Sequence, residues 1–370
     1  MSLTHYISYA TIKILKINHR ATMYIMILES PQIFRSQKEE LKNVKVIEAF
    51  YGALKELFFI EHPKIKKNTS EVQKLLENYL NSNTANSNWI FYPWKNVVIH
   101  TLTEELYFKV RTARNRNIIT EEEQQRYRKF KVGIAGLSVG SAVAEALSST
   151  GGPKIFKLAD PDIIELTNLN RIKATVLDIG CKKTDVAAKQ IWEVDPFAEI
   201  YLWSNGLNKN NIEEFILGEP KLDVFIDEMD DLEIKFLSRI ICAKNRIPVV
   251  MATDNGDGTI LDIERYDLDP SYLPFHGLLG NLKIEDLAGL DKEQWVATAM
   301  KIIGSDYLVE RLKTSLLEIG KTLSGVSQIA TGAKISGAGV AHAVRLIANK
   351  GSLASGKYKL NLEELCKITI

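Results

Sequence analysis

The segment that most constrains the fold begins at Lys131. Val132-Gly133-Ile134-Ala135 reads as a buried strand, Gly136-Leu137-Ser138-Val139-Gly140-Ser141 as a turn, the Ala-rich run to Ser149 as a helix, and Ile155 to Ala159 as a second strand. Two further apolar strands, Val224-Phe225-Ile226 and Pro248 to Ala252, are separated by a helix running through Ile240. Strands that alternate with helices must be joined by crossovers, so the predicted class is α/β: a mainly parallel sheet with helices on both faces.

The regions on either side add to this core. Residues 1–105 read as an N-terminal α+β extension. It has an apolar, hairpin-like start around Tyr6 to Leu28, helical stretches from Gln37 to Phe59 and Ser70 to Leu80, a polar break over Asn81 to Asn88, and strands within Trp89 to Thr101. Thr120 followed by Glu123 has the spacing of a capping box and predicts a short helix. Beyond residue 280, helical spacing recurs in Trp295 to Ile303 and in a Gly/Ala-rich run around Ile335 to Ile347. The expected division is 1–105, an extension that could take part in substrate or peptide recognition, and 106–370, the main α/β domain with a helical C-terminal segment.

Composition narrows the partners. With 47 basic and 46 acidic residues among 370, a net charge of +1 provides no broad positive field, and nucleic acid is not expected as a partner. No secretory signal is read at the start, and no stretch approaches the roughly 20 apolar residues that cross a bilayer. A cytosolic protein without a membrane role is expected. Cys181, Cys242 and Cys366 lie far apart with no Cys-x-x-Cys pair, which argues against a disulfide scaffold and against structural zinc.

Backbone N–H groups of the Gly136–Ser141 turn, at a helix start, can face phosphate, although such a turn also needs glycine on steric grounds alone. Gly136, Ser138 and Gly140 are the candidate contacts. Asp160 closes the next strand, where a carboxylate can accept hydrogen bonds from ribose hydroxyls. These features indicate a nucleotide without separating ATP from NAD.

The stretch that follows is more specific: Asp160-Pro161-Asp162-Ile163-Ile164-Glu165-Leu166-Thr167-Asn168-Leu169-Asn170-Arg171, then Gly180 and Lys183, then Asp227-Glu228-Met229-Asp230. It resembles the ThiF, MoeB and ubiquitin-activating enzyme superfamily, whose members share an Asp closing this strand, Asn-Leu-x-Arg, Gly-x-x-Lys at a helix start, and an Asp after the next strand. The resemblance covers residues 110 to 265 and implies a Rossmann-like fold, ATP and Mg²⁺, and adenylation of a carboxylate. Arg171 and Lys183 would neutralise phosphate charge, with Lys183 at the α-phosphate, Asn168 would orient phosphate or ribose oxygens, and Asp230 would hold Mg²⁺. Singly, Lys183 also reads as a solvated helix residue, Asp230 as a turn former and Arg171 as a surface ion pair; their joint occurrence favours the site. Arg114-Asn115-Arg116-Asn117-Ile118 resembles the family's Arg-Tyr-x-Arg-Gln-Ile segment. In homodimeric members its second arginine reaches the partner's ATP, which here implies Arg116, with Arg114 as the second choice.

Two departures from the family stand out. The glycine turn differs from Gly-x-Gly-Gly-x-Gly and aligns one residue shorter, and no cysteine lies between Cys242 and Cys366, where thioester-forming members place their nucleophile. An activated carboxyl attacked directly by a nucleophile is therefore expected, on a peptide or small-protein substrate, as in the subgroup of microcin C and pantocin A biosynthesis. His276 could serve that second step as a base, although a packed or partner-bonded histidine is the commoner case, and Asp254, Asn255 and Asp257 could contact substrate or simply form a turn. Three alternatives stay open: activation of a ubiquitin-like or sulfur-carrier protein, an NAD(P)-dependent oxidoreductase, which leaves Asn168, Arg171, Lys183 and Asp230 unexplained, and a non-catalytic partner subunit, which predicts losses among the phosphate residues.

Overall fold

The computed structural model describes residues 29–37, 41, 44–65 and 69–366. The apolar start expected around Tyr6 to Leu28 lies outside the described residues. The chain forms two units that divide between Ala113 and Arg114.

The first unit contains β1 (Gln32–Phe34), β2 (Lys45–Glu48), α1 (Phe50–Glu61), α2 (Ser70–Ser82), β3 (Ser87–Tyr92), β4 (Val97–Leu102) and α3 (Glu104–Arg111). Its strands lie in the order β1-β3-β4-β2, with β2 parallel to β4 and the other pairs antiparallel. The two strands expected within Trp89 to Thr101 are β3 and β4. Asn88, Ile90 and Tyr92 are the buried members of an alternating strand, as one-faced packing requires. Phe50, Leu54, Leu57 and Phe58 repeat at helical spacing along α1 and close over Leu102. The expected helix over Gln37 to Phe59 is corrected here, because Lys45–Glu48 is a strand and the helix starts only at Phe50. Val46 and Ile47 are β-branched, and pairing with Val98 and Ile99 supplies backbone partners that an isolated extra helical turn would lack.

The second unit opens with α4 (Glu121–Lys129), where Thr120 and Glu123 form the reciprocal capping box. It continues through β5 (Lys131–Ala135), α5 (Val139–Ser149), β6 (Ile155–Ala159), α6 (Lys183–Val194), β7 (Glu199–Trp203), α7 (Ile212–Leu217), β8 (Val224–Asp227), α8 (Leu232–Lys244), β9 (Val249–Asp254), β10 (Gly258–Glu264), α9 (Lys292–Ile303), α10 (Glu310–Leu317), α11 (Ala330–Ala348) and β11 (Gly356–Asn361). The seven strands lie in the order β11-β10-β9-β8-β5-β6-β7, parallel from β7 to β9 and antiparallel through β10 and β11. Helices cover both faces, as close approaches on β5 show: a Cβ at Gly133 would lie 2.9 Å from Phe215 of α7, whereas Ile134, on the opposite face, would meet a Cβ at Gly140 of α5 at 2.8 Å. Side chains of successive strand residues point to opposite faces.

The chain reverses direction across the sheet between β6 and β8, on either side of β5. Ala135 pairs with Ala159 on one side and Asp227 on the other. The residues following these strands, Gly136, Asp160 and Glu228, therefore meet at one edge, the position where open α/β sheets bind ligands.

Candidate active site

Gly136 leaves β5 with a φ of 89°, and an added Cβ would lie 2.1 Å from the Glu228 carbonyl oxygen. Only glycine allows the β5 turn and the β8 loop to approach this closely. Asp160, buried at the end of β6, ties the adjoining loops together: its carboxylate accepts from Leu137 N–H at 2.7 Å and from Asp162 N–H at 2.8 Å. Burial pushes this carboxyl up, against the opposing effect of Lys183 and the two N–H donors.

A cavity of about 1170 Å³ opens at this edge. Ser138, Asn168, Arg171, Lys183 and Asp230 all line it. Arg171 Nε donates to Ser138 Oγ at 2.9 Å, and its Nη1 donates to Asn170 Oδ1 at 2.9 Å and to the Thr167 carbonyl at 3.3 Å. The guanidinium is thereby held beside the α5 start with hydrogen-bonding capacity remaining. Burial lowers its pKa, opposed by the nearby charges of Asp254 and Asp230. Asn168 is buried and its side-chain oxygen accepts from Glu165 N–H at 3.0 Å, which leaves its amide nitrogen as a donor for a ligand. Lys183, the first residue of α6, is buried with its Nζ 2.7 Å from Asp162 and 3.7 Å from Asp160. A triphosphate arriving there would exchange an exposed carboxylate for phosphate oxygens.

Asp230 is exposed in the loop after β8, immediately before Asp231 caps α8 by accepting from Ile234 N–H at 3.0 Å. Among the described residues, no group of three or more His, Cys, Asp or Glu side chains is arranged to hold a metal ion. Mg²⁺ needs only one or two carboxylates plus substrate phosphates and water, and Asp230 is an exposed carboxylate on the lining that could supply one.

Gly136, Gly140 and Asp160 lie behind the lining, and Arg114 and Arg116 are exposed and outside this cavity. His276 lines a separate cavity of about 560 Å³. Both of its ring nitrogens are engaged, one with Asp262 at 2.6 Å and the other with the Tyr272 hydroxyl at 2.8 Å. Asn255 is occupied in the fold, donating to the Tyr307 carbonyl and accepting from Val309 N–H, whereas Asp254 reaches the large cavity and is held by Ser336 at 2.8 Å. Cys242 is fully buried with its thiol pKa pushed up by that burial, Cys181 is half-buried and Cys366 exposed.

Several lining residues were not anticipated. Asp162, Glu228 and Lys235 join the polar end beside Asp254, which the sequence had offered as a possible substrate contact, and α9 and α10 form an apolar wall bordered by residues 323–329, where Leu323, Val326 and Ile329 stand among Ser324, Ser327 and Gln328. Glu228 accepts from Ala252 N–H at 2.9 Å. Burial holds its carboxyl well above the usual range despite Lys235, and the charges of Asp227 and Asp254 add to the effect. The Asp-rich run 227–231 was visible, but which of its members would be buried depends on the strand end and the helix cap.

The ThiF family pattern matches residues 112–352. The chain belongs to the ThiF family. An uncharacterised protein of Mycobacterium tuberculosis (strain CDC 1551 / Oshkosh) is 39% identical over 274 residues, which is 74% of this chain and 38% of that protein. The tRNA threonylcarbamoyladenosine dehydratase of Bacillus subtilis (strain 168) is 29% identical over 166 residues, or 43% of this chain and 64% of that one. A probable molybdopterin-synthase adenylyltransferase of Porphyra purpurea is 32% identical over 147 residues, or 39% and 37%. This ThiF-family chain spans 37% to 64% of the length of these three relatives. Among its described residues, no helix is long and apolar enough to cross a membrane.

Proposed function

We propose that this ThiF-family chain uses ATP to adenylate a carboxylate on a peptide or small protein. The observation that carries the reading is the convergence of Ser138, Asn168, Arg171, Lys183 and Asp230 on one cavity at the sheet's reversal edge. The triphosphate lies against the start of α5 and Arg171, with Lys183 at the α-phosphate. A carboxylate oxygen of the substrate attacks the α-phosphorus, the bond to the bridging oxygen of the β-phosphate breaks, and pyrophosphate leaves with that electron pair. Asp230 would hold Mg²⁺, which when bound would neutralise phosphate charge. Arg171 and Lys183 stabilise the negative charge that spreads over the phosphorus oxygens, and both are held in place before ATP arrives, so little reorganisation is needed. The full burial of Cys242, which pushes its thiol pKa up and keeps it a poor nucleophile, supports direct attack on the acyl adenylate without an enzyme thioester.

Cofactor choice tests this reading. Mg-ATP is expected to raise the melting temperature of the protein, because it binds the folded state alone, and NAD is not. An equal shift with NAD, or none with Mg-ATP, refutes the ATP assignment.

The working unit in this proposal is a homodimer in which Arg116 completes the partner's site, and residues 1–105 help to recognise the substrate. The exposure of Arg116 outside its own chain's cavity supports an action in trans. In an isologous pair, mixing an Arg116→Ala chain with a Lys183→Ala chain, each nearly inactive alone, yields mixed dimers with one intact site. Activity should recover toward half per mixed dimer. No recovery despite verified subunit exchange rules out the trans role.

A further inference from the structure

The cavity has two chemically distinct ends. Its cationic lining residues, Arg171, Lys183 and Lys235, stand at the sheet edge or in the first turn of α8, with Asp230 and Asp254 beside them. The other end is walled by one face each of α9 and α10: Trp295, Ala299 and Ile303 at helical spacing, then Leu312 and Leu316, bordered by residues 323–329, in which Val326 stands among the uncharged Ser324, Ser327 and Gln328. Among the described residues, no lysine, arginine or histidine lines that wall. Trp295 stands at the junction, its indole N–H donating to the Asp230 carbonyl at 3.2 Å.

Resting on the adenylation reading, we infer that the reacting carboxylate is borne on an uncharged, apolar body that lies along the α9–α10 wall. ATP brings a triphosphate and ribose, which the polar end satisfies. A cavity of about 1170 Å³ exceeds the usual 300–1000 Å³ of a site for one drug-sized ligand, so it has room for a second molecule next to the nucleotide. A second charged group at the far end of that molecule would be stranded against leucine, isoleucine and tryptophan without a cationic partner, which is costly. A glycine-terminated tail would leave this wall facing water. The matching chemistry is a single carboxylate on an aliphatic or aromatic chain, which occurs both in free apolar acids and in peptides with an apolar C-terminal residue.

The test uses straight-chain carboxylates from butyrate to decanoate, together with acetyl-Ala-Ala-Leu and acetyl-Ala-Gly-Gly. Binding to the full chain is measured by calorimetry with and without saturating Mg²⁺ and a non-hydrolysable ATP analogue, and exchange of labelled pyrophosphate into ATP is measured separately. Affinity should rise up to about fourfold per added methylene until the wall is filled, persist with the analogue bound, and be accompanied by exchange. The Leu-terminated peptide should outperform the Gly-terminated one if the source is a peptide; free acids alone should work if it is not. An Ala299→Phe variant with wild-type melting should shift the preference toward shorter acids. Affinity independent of chain length, displacement of the acids by the analogue, or better exchange with acetyl-Ala-Gly-Gly overturns the inference while leaving adenylation standing. Length-dependent binding without exchange by any acid refutes adenylation and leaves the apolar site standing.

Discussion

Replacing Lys183 by Ala is expected to slow carboxylate-dependent pyrophosphate exchange by about 10²–10³-fold, the scale observed when one preorganised donor to a developing charge is removed. The motivation is positional. Lys183 starts α6 at the cavity edge, buried, with Asp162 and Asp160 holding its ammonium in place. In the ground state ATP is gripped by several groups at once, so losing this one should weaken nucleotide binding by less than it slows the chemical step. The measurement therefore pairs exchange rates with ATP affinity by calorimetry. A structural role would give a different result: lowered melting temperature with ATP affinity and exchange falling in parallel. Asp162, the closer partner, is exposed, so its loss of an ion pair should cost little stability. Exchange within threefold of wild type would remove Lys183 from the mechanism.

The second large effect concerns the base on which the site is built. Arg239 of α8 is fully buried, with its guanidinium 2.5 Å from Asp227, 2.6 Å from Glu264 and 3.9 Å from the Phe275 ring centroid. Asp227 ends β8 directly below the Glu228–Asp230 loop. Burial alone would raise its carboxyl, yet Lys235 and Arg239 outweigh burial and hold it below its ordinary value. Arg239→Met keeps an apolar stem but leaves two buried carboxylates short of a cation. Breaking a buried pair from one side costs about 3–5 kcal/mol, and at roughly 2–4 °C per kcal/mol for a unit of this size the melting temperature should fall by about 6–20 °C.

The pH dependence follows from the signs of these shifts. In the wild type, a carboxyl depressed by its partners stabilises the fold above the ordinary carboxylate range, and that contribution fades as pH falls through its folded value. In the variant Asp227 loses one of the two cations that depress it, and Glu264, already raised by burial, loses the cation that opposes that rise, so the two carboxyls cost more stability as pH rises and take up protons more readily as it falls. The gap between variant and wild type should narrow on acidification, a trend that melting curves across pH would show. A variant within 1 kcal/mol of wild type at neutral pH would contradict the role of this network.

Much of the central architecture was legible because it depends on local pattern. The turn at Gly136, the capping box at Thr120 and the helical spacing of Trp295 to Ile303 each specify a short-range geometry, and all three appear in the structure. The antiparallel strands β10 and β11 were missed. β11 pairs with β10 across nearly a hundred residues, Gly258 with Asn361 through Ile263 with Gly356, and no local periodicity reports a partner so distant; β10 also forms a hairpin with β9, Thr259 opposite Asp254, and there the Asp- and Gly-containing turn was a local signal left unused. The segment Lys45–Glu48 was misread as helix for the same reason, since its partner strand begins only at Val97.

The site divides along the same line. The sequence by itself determined which residue types were available for phosphate: Asn168, Arg171, Lys183 and Asp230 stand out because their order and spacing resemble a family. Only the tertiary structure decided which groups share a cavity. It set His276 against Asp262 and Tyr272 in a different cavity, left Arg116 exposed outside this one, and brought Asp254 and the apolar faces of α9 and α10 to the same space as Lys183. The physical reason is that residue type and spacing specify backbone geometry over a few residues, whereas burial and electrostatic environment depend on strand order and on which helix faces close over the sheet.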